Sequence, residues 1–157
     1  MPNVDLKELV EFAADTASKK IVGRKKPMAA FCVVVSATGE RTIIELLFRN
    51  RNEKTYVLAG LRQLMRDSGA VGYAIVSEAW AAPDLPDPGC DAKLVTLPAD
   101  HPDRYELLIA VASDGFNSQC RQWKICRDYK GAVSGLQESD VPSNAAGPLL
   151  NLLGGRA

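Results

Sequence analysis

The sequence predicts an α+β domain: an antiparallel sheet of about five strands with helices packed on it, in the order α-β-β-α-β-β-β plus a short C-terminal helix. Three observations carry this. Two stretches, near residues 6–20 and 53–68, repeat apolar residues at helical spacing. Five other stretches are rich in β-branched or aromatic residues over the length of a strand. Thr38-Gly39 and Asp114-Gly115 join consecutive strand stretches by short turns, which forces antiparallel pairing.

Asp5 opens the first helix at the N-cap position, with Glu8 placed for a capping box and Val4 and Leu9 for a hydrophobic staple. Leu6, Leu9, Val10, Ala13 and Ala17 form one apolar stripe, and the helix runs to about Lys20. Gly23 and Pro27 punctuate a basic connector. Met28 to Ala37 is the first strand. Its Phe31-Cys32-Val33-Val34-Val35 core is apolar on both faces, as in a strand covered on both sides. Arg41 to Phe48 returns, with Thr42, Ile44, Leu46 and Phe48 on its core face. Asn52 is placed to cap the second helix, whose apolar face is Val57, Leu58, Leu61, Leu64, Met65 and Ser68, and Gly69 stands where a C′ glycine belongs.

The third strand spans Ala70 to about Trp80. Residues 81–104 carry Pro83, Pro86, Pro88, Pro98 and Pro102 and five aspartates, a pattern that forbids a regular ladder. Such a long loop is either functional or disordered, and its tip, Pro86 to Asp91, is the expected site of first proteolytic cleavage. Tyr105 to Ser113 and Phe116 to Cys126 form a hairpin across Asp114-Gly115. Trp123 and Ile125 share a face with Asn117, Gln119 and Arg121, a mixture hard to bury inside one chain. Residues 1–129 therefore read as one domain, and 130–157 as a flexible or loosely docked tail whose Leu149, Leu150, Leu152 and Leu153 are available as a cover, from the same chain or from a partner in a homodimer.

A chain of 157 residues buries roughly 70% of its unfolded surface and needs no staple. Nineteen basic residues balance nineteen acidic ones, so no global field draws the protein to nucleic acid or an anionic membrane. No apolar run approaches the roughly 20 residues of a membrane span, and the N-terminus lacks the pattern of a signal peptide. Cys32, Cys90, Cys120 and Cys126 have no C-x-x-C spacing, and His101 is the only histidine, which leaves no evident metal or cofactor site. The expectation is a cytoplasmic protein with free thiols.

The element order resembles the profilin-like sandwiches of the roadblock type, small domains that often dimerise and act as scaffolds or regulators. Val76-Ser77-Glu78-Ala79-Trp80, followed after a proline-rich gap by His101-Pro102-Asp103-Arg104-Tyr105-Glu106-Leu107-Leu108, is similar to short uncharacterised bacterial and phage proteins. That resemblance implies a prokaryotic or phage origin and carries no activity.

Two sets of residues are candidate sites. Lys19, Lys20, Arg24, Lys25 and Lys26 form the densest charge cluster, fit to contact phosphates. Arg49, Arg51 and Lys54 make a sparser group at the start of the second helix, where an anion is favoured. The commoner meaning of such clusters is a solvated surface. Glu78 and Trp80 end a strand beside the long loop, which holds His101 and Arg104; strand ends next to loops are common binding positions. Against this stands the plainer reading of a surface carboxylate, a partly buried indole and a solvent-facing histidine. No nucleophile–base pair, G-x-G-x-x-G or P-loop is present, so no catalytic residue is named. The expected function is a non-enzymatic protein-interaction domain. The alternatives are a nucleic-acid or polyanion binder using the basic connector, and an enzyme of unknown reaction drawing on Glu78, the loop aspartates and Arg104.

Overall fold

The computed structural model describes residues 4–81 and 105–139, with the side chains of Trp80, Ala81 and Ser139 outside that description. Asp5 caps α1 (Leu6–Ile21), its Oδ1 accepting the Glu8 N–H at 3.2 Å. β1 (Phe31–Val35) and β2 (Arg41–Glu45) follow as a hairpin. Asn50, not Asn52, caps α2 (Arg51–Asp67). Its Oδ1 accepts the Glu53 N–H at 2.9 Å, and the Glu53 carboxylate accepts the Arg49 N–H at 2.7 Å. The capping pair therefore sits two residues earlier than the spacing from the apolar face indicates. Beyond the Ser68 C-cap the chain turns at Gly69, whose φ of +65° is open to a residue without Cβ. β3 (Gly72–Ala81), β4 (Tyr105–Ser113), β5 (Ser118–Arg127) and β6 (Val133–Ser139) complete the chain.

All the strands join one antiparallel sheet in the order β2-β1-β3-β4-β5-β6. The expected α+β class and antiparallel sheet are present, but the sheet has six strands rather than five. The sixth was hidden because Val133-Ser-Gly-Leu-Gln-Glu-Ser carries only Val133 and Leu136 as large apolar residues. They lie three apart beside a register shift at Cys126/Arg127, so no alternation shows. The expected C-terminal helix, near Pro148 to Leu153, lies outside the described residues.

Each face of the sheet has its own core. On one, Phe31, Val33, Val35, Ala74, Val76, Leu108, Ala110 and Ala112 meet Leu9, Val10, Ala13 and Ala17 of α1. Alanines on both sides let the helix lie close. On the other, Cys32, Val34, Tyr73 and Ile75 meet Leu46 and the Leu58, Leu61 and Met65 side chains of α2. β1 is buried at all five positions, as its two apolar faces require. On the mixed face of β5, Trp123 and Ile125 are buried in the α1 core, with Leu136 packed against it, while Asn117 and Gln119 stay exposed. The Arg121 guanidinium lies 5.2 Å from the Trp123 ring and bonds Glu138 at 2.7 Å and Glu11 at 3.4 Å. The leucines of the tail that were expected as a cover lie outside the described residues. The arginine that made the face look unburiable spans its rim, from α1 to β6. Among the described residues no helix is long and apolar enough to cross a membrane.

Candidate functional site: a groove at the end of the sheet

The groove arises where β1 and β3 part. They pair from Val35↔Gly72 to Phe31↔Val76, and β3 then runs on beside β4 to Ala81. Upstream of Phe31 the chain keeps its hold on the other neighbour, with the Leu46 N–H donating to the Ala30 carbonyl at 2.8 Å. The gap left beside β3 has a volume of about 650 Å³. It is bounded by residues 27–30, by 46–49 with Glu53, by 77–79, and by Glu106. Leu47 is 68% exposed and Phe48 37% exposed along it. Their exposure follows from where β2 stops: the core keeps Leu46, and the chain then turns toward Asn50.

Glu78 is the open polar group of this groove. It is partly buried, and its carboxylate accepts the Met28 N–H at 3.3 Å. Burial pushes its pKa above the ordinary carboxylate value, the Met28 bond and Arg127 oppose the shift, and the charge of Glu106 adds to it. Glu106 is shifted the other way, chiefly by its hydrogen bonds from Arg127. That pair is bidentate, Nε to Oε1 at 2.6 Å and Nη2 to Oε2 at 2.8 Å. Arg127 Nη1 also donates to the Gly131 carbonyl at 2.7 Å and the Lys25 carbonyl at 3.2 Å. Arg127 therefore ties β4, the β5–β6 turn and the basic connector together. Two carboxylates with opposed shifts are a pattern of acid–base chemistry. Here, however, both oxygens of Glu106 are engaged, and Ser77, which also lines the groove, has no base on its hydroxyl among the described residues. What the arrangement offers is a largely apolar trough whose Glu78 carboxylate is engaged only by the Met28 N–H, suited to a cation or a hydrogen-bond donor.

The sequence pointed to Glu78, Trp80, His101 and Arg104. Glu78 is in the groove. Trp80 lies in β3 with its side chain outside the described residues, as are His101 and Arg104 entirely. Glu106 and Arg127 were missed, yet a signal existed. Glu106 shares strand phase with the core residues Leu108, Ala110 and Ala112, and Arg127 with Trp123 and Ile125. Opposite charges on the core-facing phase of adjacent strands demand each other as partners.

The basic cluster is only partly gathered. Lys20, Arg24, Lys25 and Lys26 line a second hollow of about 610 Å³, but Lys19 does not, and Glu45 lies in the same lining. Lys20 Nζ is 3.6 Å from Glu45 and 5.0 Å from the centre of the Phe31 ring. The connector is stitched to the sheet: the Gly23 N–H donates to the Val133 carbonyl at 2.8 Å and the Val133 N–H to the Arg24 carbonyl at 2.9 Å. At the start of α2, Arg49 is held by Glu53 at 3.1 Å and Lys54 lies 5.7 Å from the Phe48 ring, so two of the three cations there have local partners.

Cys32, Cys120 and Cys126 are free thiols, and Cys90 lies outside the described residues. Burial pushes Cys32 up to about 12 and raises Cys120 as well, so neither is a thiolate near neutrality. Among the described residues no three His, Cys, Asp or Glu side chains group as metal ligands.

Fold and groove together define an antiparallel α+β domain with an apolar, acid-floored trough at one end of its sheet. No family model matches the chain, and neither any curated protein nor any solved structure matches it.

Proposed function

We propose that the chain is a protein-interaction domain that receives an extended, apolar segment of a partner protein, bearing a lysine or arginine, in the groove at the end of the sheet. The observation that carries this is the pairing of Leu47 and Phe48, exposed along the trough, with the partly buried Glu78 carboxylate inside it. An apolar trough with a few convergent polar groups is the usual form of a binding site. A partly buried carboxylate gains more from an added cation than a solvated one does, which gives the site its selectivity. The cytoplasm suits such a domain, because the free thiols Cys32, Cys120 and Cys126 persist there.

The probe is a pair of capped tripeptides, acetyl-Leu-Lys-Leu-amide and acetyl-Leu-Glu-Leu-amide, titrated calorimetrically and mapped by amide chemical shifts. The lysine peptide binds more tightly and shifts the amides of residues 28–30, 46–49 and 77–79. Glu78→Gln removes the discrimination. Leu47→Ser weakens the lysine peptide by about tenfold, the order expected from exposing one leucine side chain. Equal affinity for the two peptides, or shifts confined elsewhere, contradicts the proposal.

One observation favours a second reading, binding of a polyanion. Lys19, Arg24, Lys25 and Lys26 form no ion pair among the described residues, which leaves them available to phosphates. Changing Lys19, Lys20, Arg24, Lys25 and Lys26 to Gln then flattens the salt dependence of binding to a single-stranded oligonucleotide. Failure of the unaltered protein to bind that oligonucleotide at low salt removes the reading.

A further inference from the structure

We infer that β2 is the seat of a symmetric homodimer, pairing antiparallel with β2 of a second copy with Ile43 opposite itself. The phase of the β1–β2 ladder decides which backbone groups are available. The Ser36 N–H donates to the Glu40 carbonyl at 2.9 Å, and the Leu46 N–H donates to the Ala30 carbonyl at 2.8 Å. The same register places Thr42 opposite Val34 and Ile44 opposite Cys32. Backbone hydrogen bonding alternates along an antiparallel strand, so the even residues of β2 face β1 and the odd ones face away. The N–H and C=O groups of Arg41, Ile43 and Glu45 therefore point off the sheet, at an edge whose residues are exposed at every position but Ile44.

The side chains supply the complement. About a two-fold axis through Ile43, Arg41 faces Glu45 of the second copy at both ends, and Thr42 faces Ile44. Three odd-numbered pairs then fall in hydrogen-bonding phase. A register shifted by two residues loses both charge pairs, and a parallel pairing sets Arg41 against Arg41. Ile43, 43% exposed, gains a cover at the centre. The strand is short and ends on Arg41 and Glu45, but it has no proline and no bulge, two of the devices that keep an edge alone. Within their own chain Arg41 reaches Glu8 at 3.2 Å and lies over the Phe12 ring at 4.6 Å, and Glu45 reaches Lys20 at 3.6 Å; these solvent-screened pairs are shared with the cross-axis ones on association. The self-complementarity picks a second copy over an unrelated strand as the occupant. An isologous contact of this kind closes at two subunits. Five-residue strands make a small interface, so the dimer is a weak one. It does not rest on the groove, and either can fail alone.

The experiment is sedimentation equilibrium of the full chain over a wide concentration range, with thermal melts to confirm folding of each variant. Arg41→Glu places like charges opposite each other at both ends, as does Glu45→Arg. Each weakens self-association by about tenfold, two cross-strand pairs passing from attraction to repulsion. An equimolar mixture of the two variants restores it, because Glu at 41 then meets Arg at 45 and Glu45 meets Arg41 across the axis. Ile43→Pro removes an outward N–H that β1 does not use and abolishes the dimer with the fold intact. A parent protein that stays monomeric at every concentration, or a dimer that neither charge variant weakens, overturns the inference. So does a mixture that associates no better than its components.

Discussion

The two helices are nearly equal in length, 16 and 17 residues, but they do different jobs. α1 buries seven residues along one stripe and lies over the middle of the sheet, reaching Ala74, Ala110 and Trp123 on three successive strands. α2 buries only Leu58, Leu61 and Met65, over the part of the sheet formed by β1 and β3. Tyr56 and Leu64 are left exposed on it, 80% and 45%. Alanine spacing explains part of the contrast: Ala13, Ala14 and Ala17 allow close approach of backbone to sheet, whereas α2 stands off on leucines and a methionine. The lesson is a division of labour. The α1 side fastens the domain, and the α2 side, with the groove next to it, is where the proposed binding surface lies.

The largest effect that tests this division is a core truncation on each side. Leu9→Ala, in the fully packed α1 layer, costs about 4 kcal/mol, near the top of the range for buried leucines, and Leu58→Ala costs about 2 kcal/mol, near its foot. Urea denaturation measures both, and equal losses would break the comparison. Next in size is the clamp beside the groove. Arg127→Met strands the Glu106 carboxylate and releases the Lys25 and Gly131 carbonyls, for a loss of about 1–3 kcal/mol. Arg127→Lys recovers little, because a lysine cannot make the bidentate pair.

The smallest effect is in pH, and the two carboxylates pull in opposite directions. Glu78 has a raised pKa, so its contribution is fully present below about 4.5, its ordinary value, and is lost as pH rises through the raised value. Glu78→Gln therefore gains stability relative to the parent as pH climbs out of the acid range. Glu106 has a lowered pKa, so its contribution is present above that ordinary value and lost as pH falls through the lowered one. Glu106→Gln loses most at neutral pH and converges on the parent in acid. Melting curves across pH for the two variants that run parallel would show that burial and Arg127 do not separate these groups.

The same contrast explains what the sequence could show. β4 appears with its exact bounds, because apolar residues on both faces and an Asp-Gly turn leave no other reading. The turn forms as its chemistry demands, with Asp114 Oδ1 accepting the Phe116 N–H at 2.8 Å and the Asn117 N–H at 2.7 Å. α1 was legible for the same reason: its stripe is periodic and its cap local. β6 was not, since its place is fixed by β5 and by the connector rather than by its own composition. In the groove, Glu78 was marked by its position at a strand end. Leu47 and Phe48 were read as part of a strand, yet β2 ends at Glu45. Nothing local told that the ladder would stop there, because the stop is set by the departure of the chain toward the Asn50 cap. Glu106 and Arg127 required the pairing of two strands to be known before their charges could be matched.

The claim that function lies on the α2 side is tested most directly by amide hydrogen exchange of the full chain, with and without acetyl-Leu-Lys-Leu-amide. Among free-protein amides, those of Leu58, Leu61 and Met65 exchange before those of Val10, Ala13 and Ala17, which open only with global unfolding. The peptide then slows exchange at residues 46–53 and along α2, and leaves α1 unchanged. Equal protection of the two helices, or peptide protection centred on α1, would contradict the account.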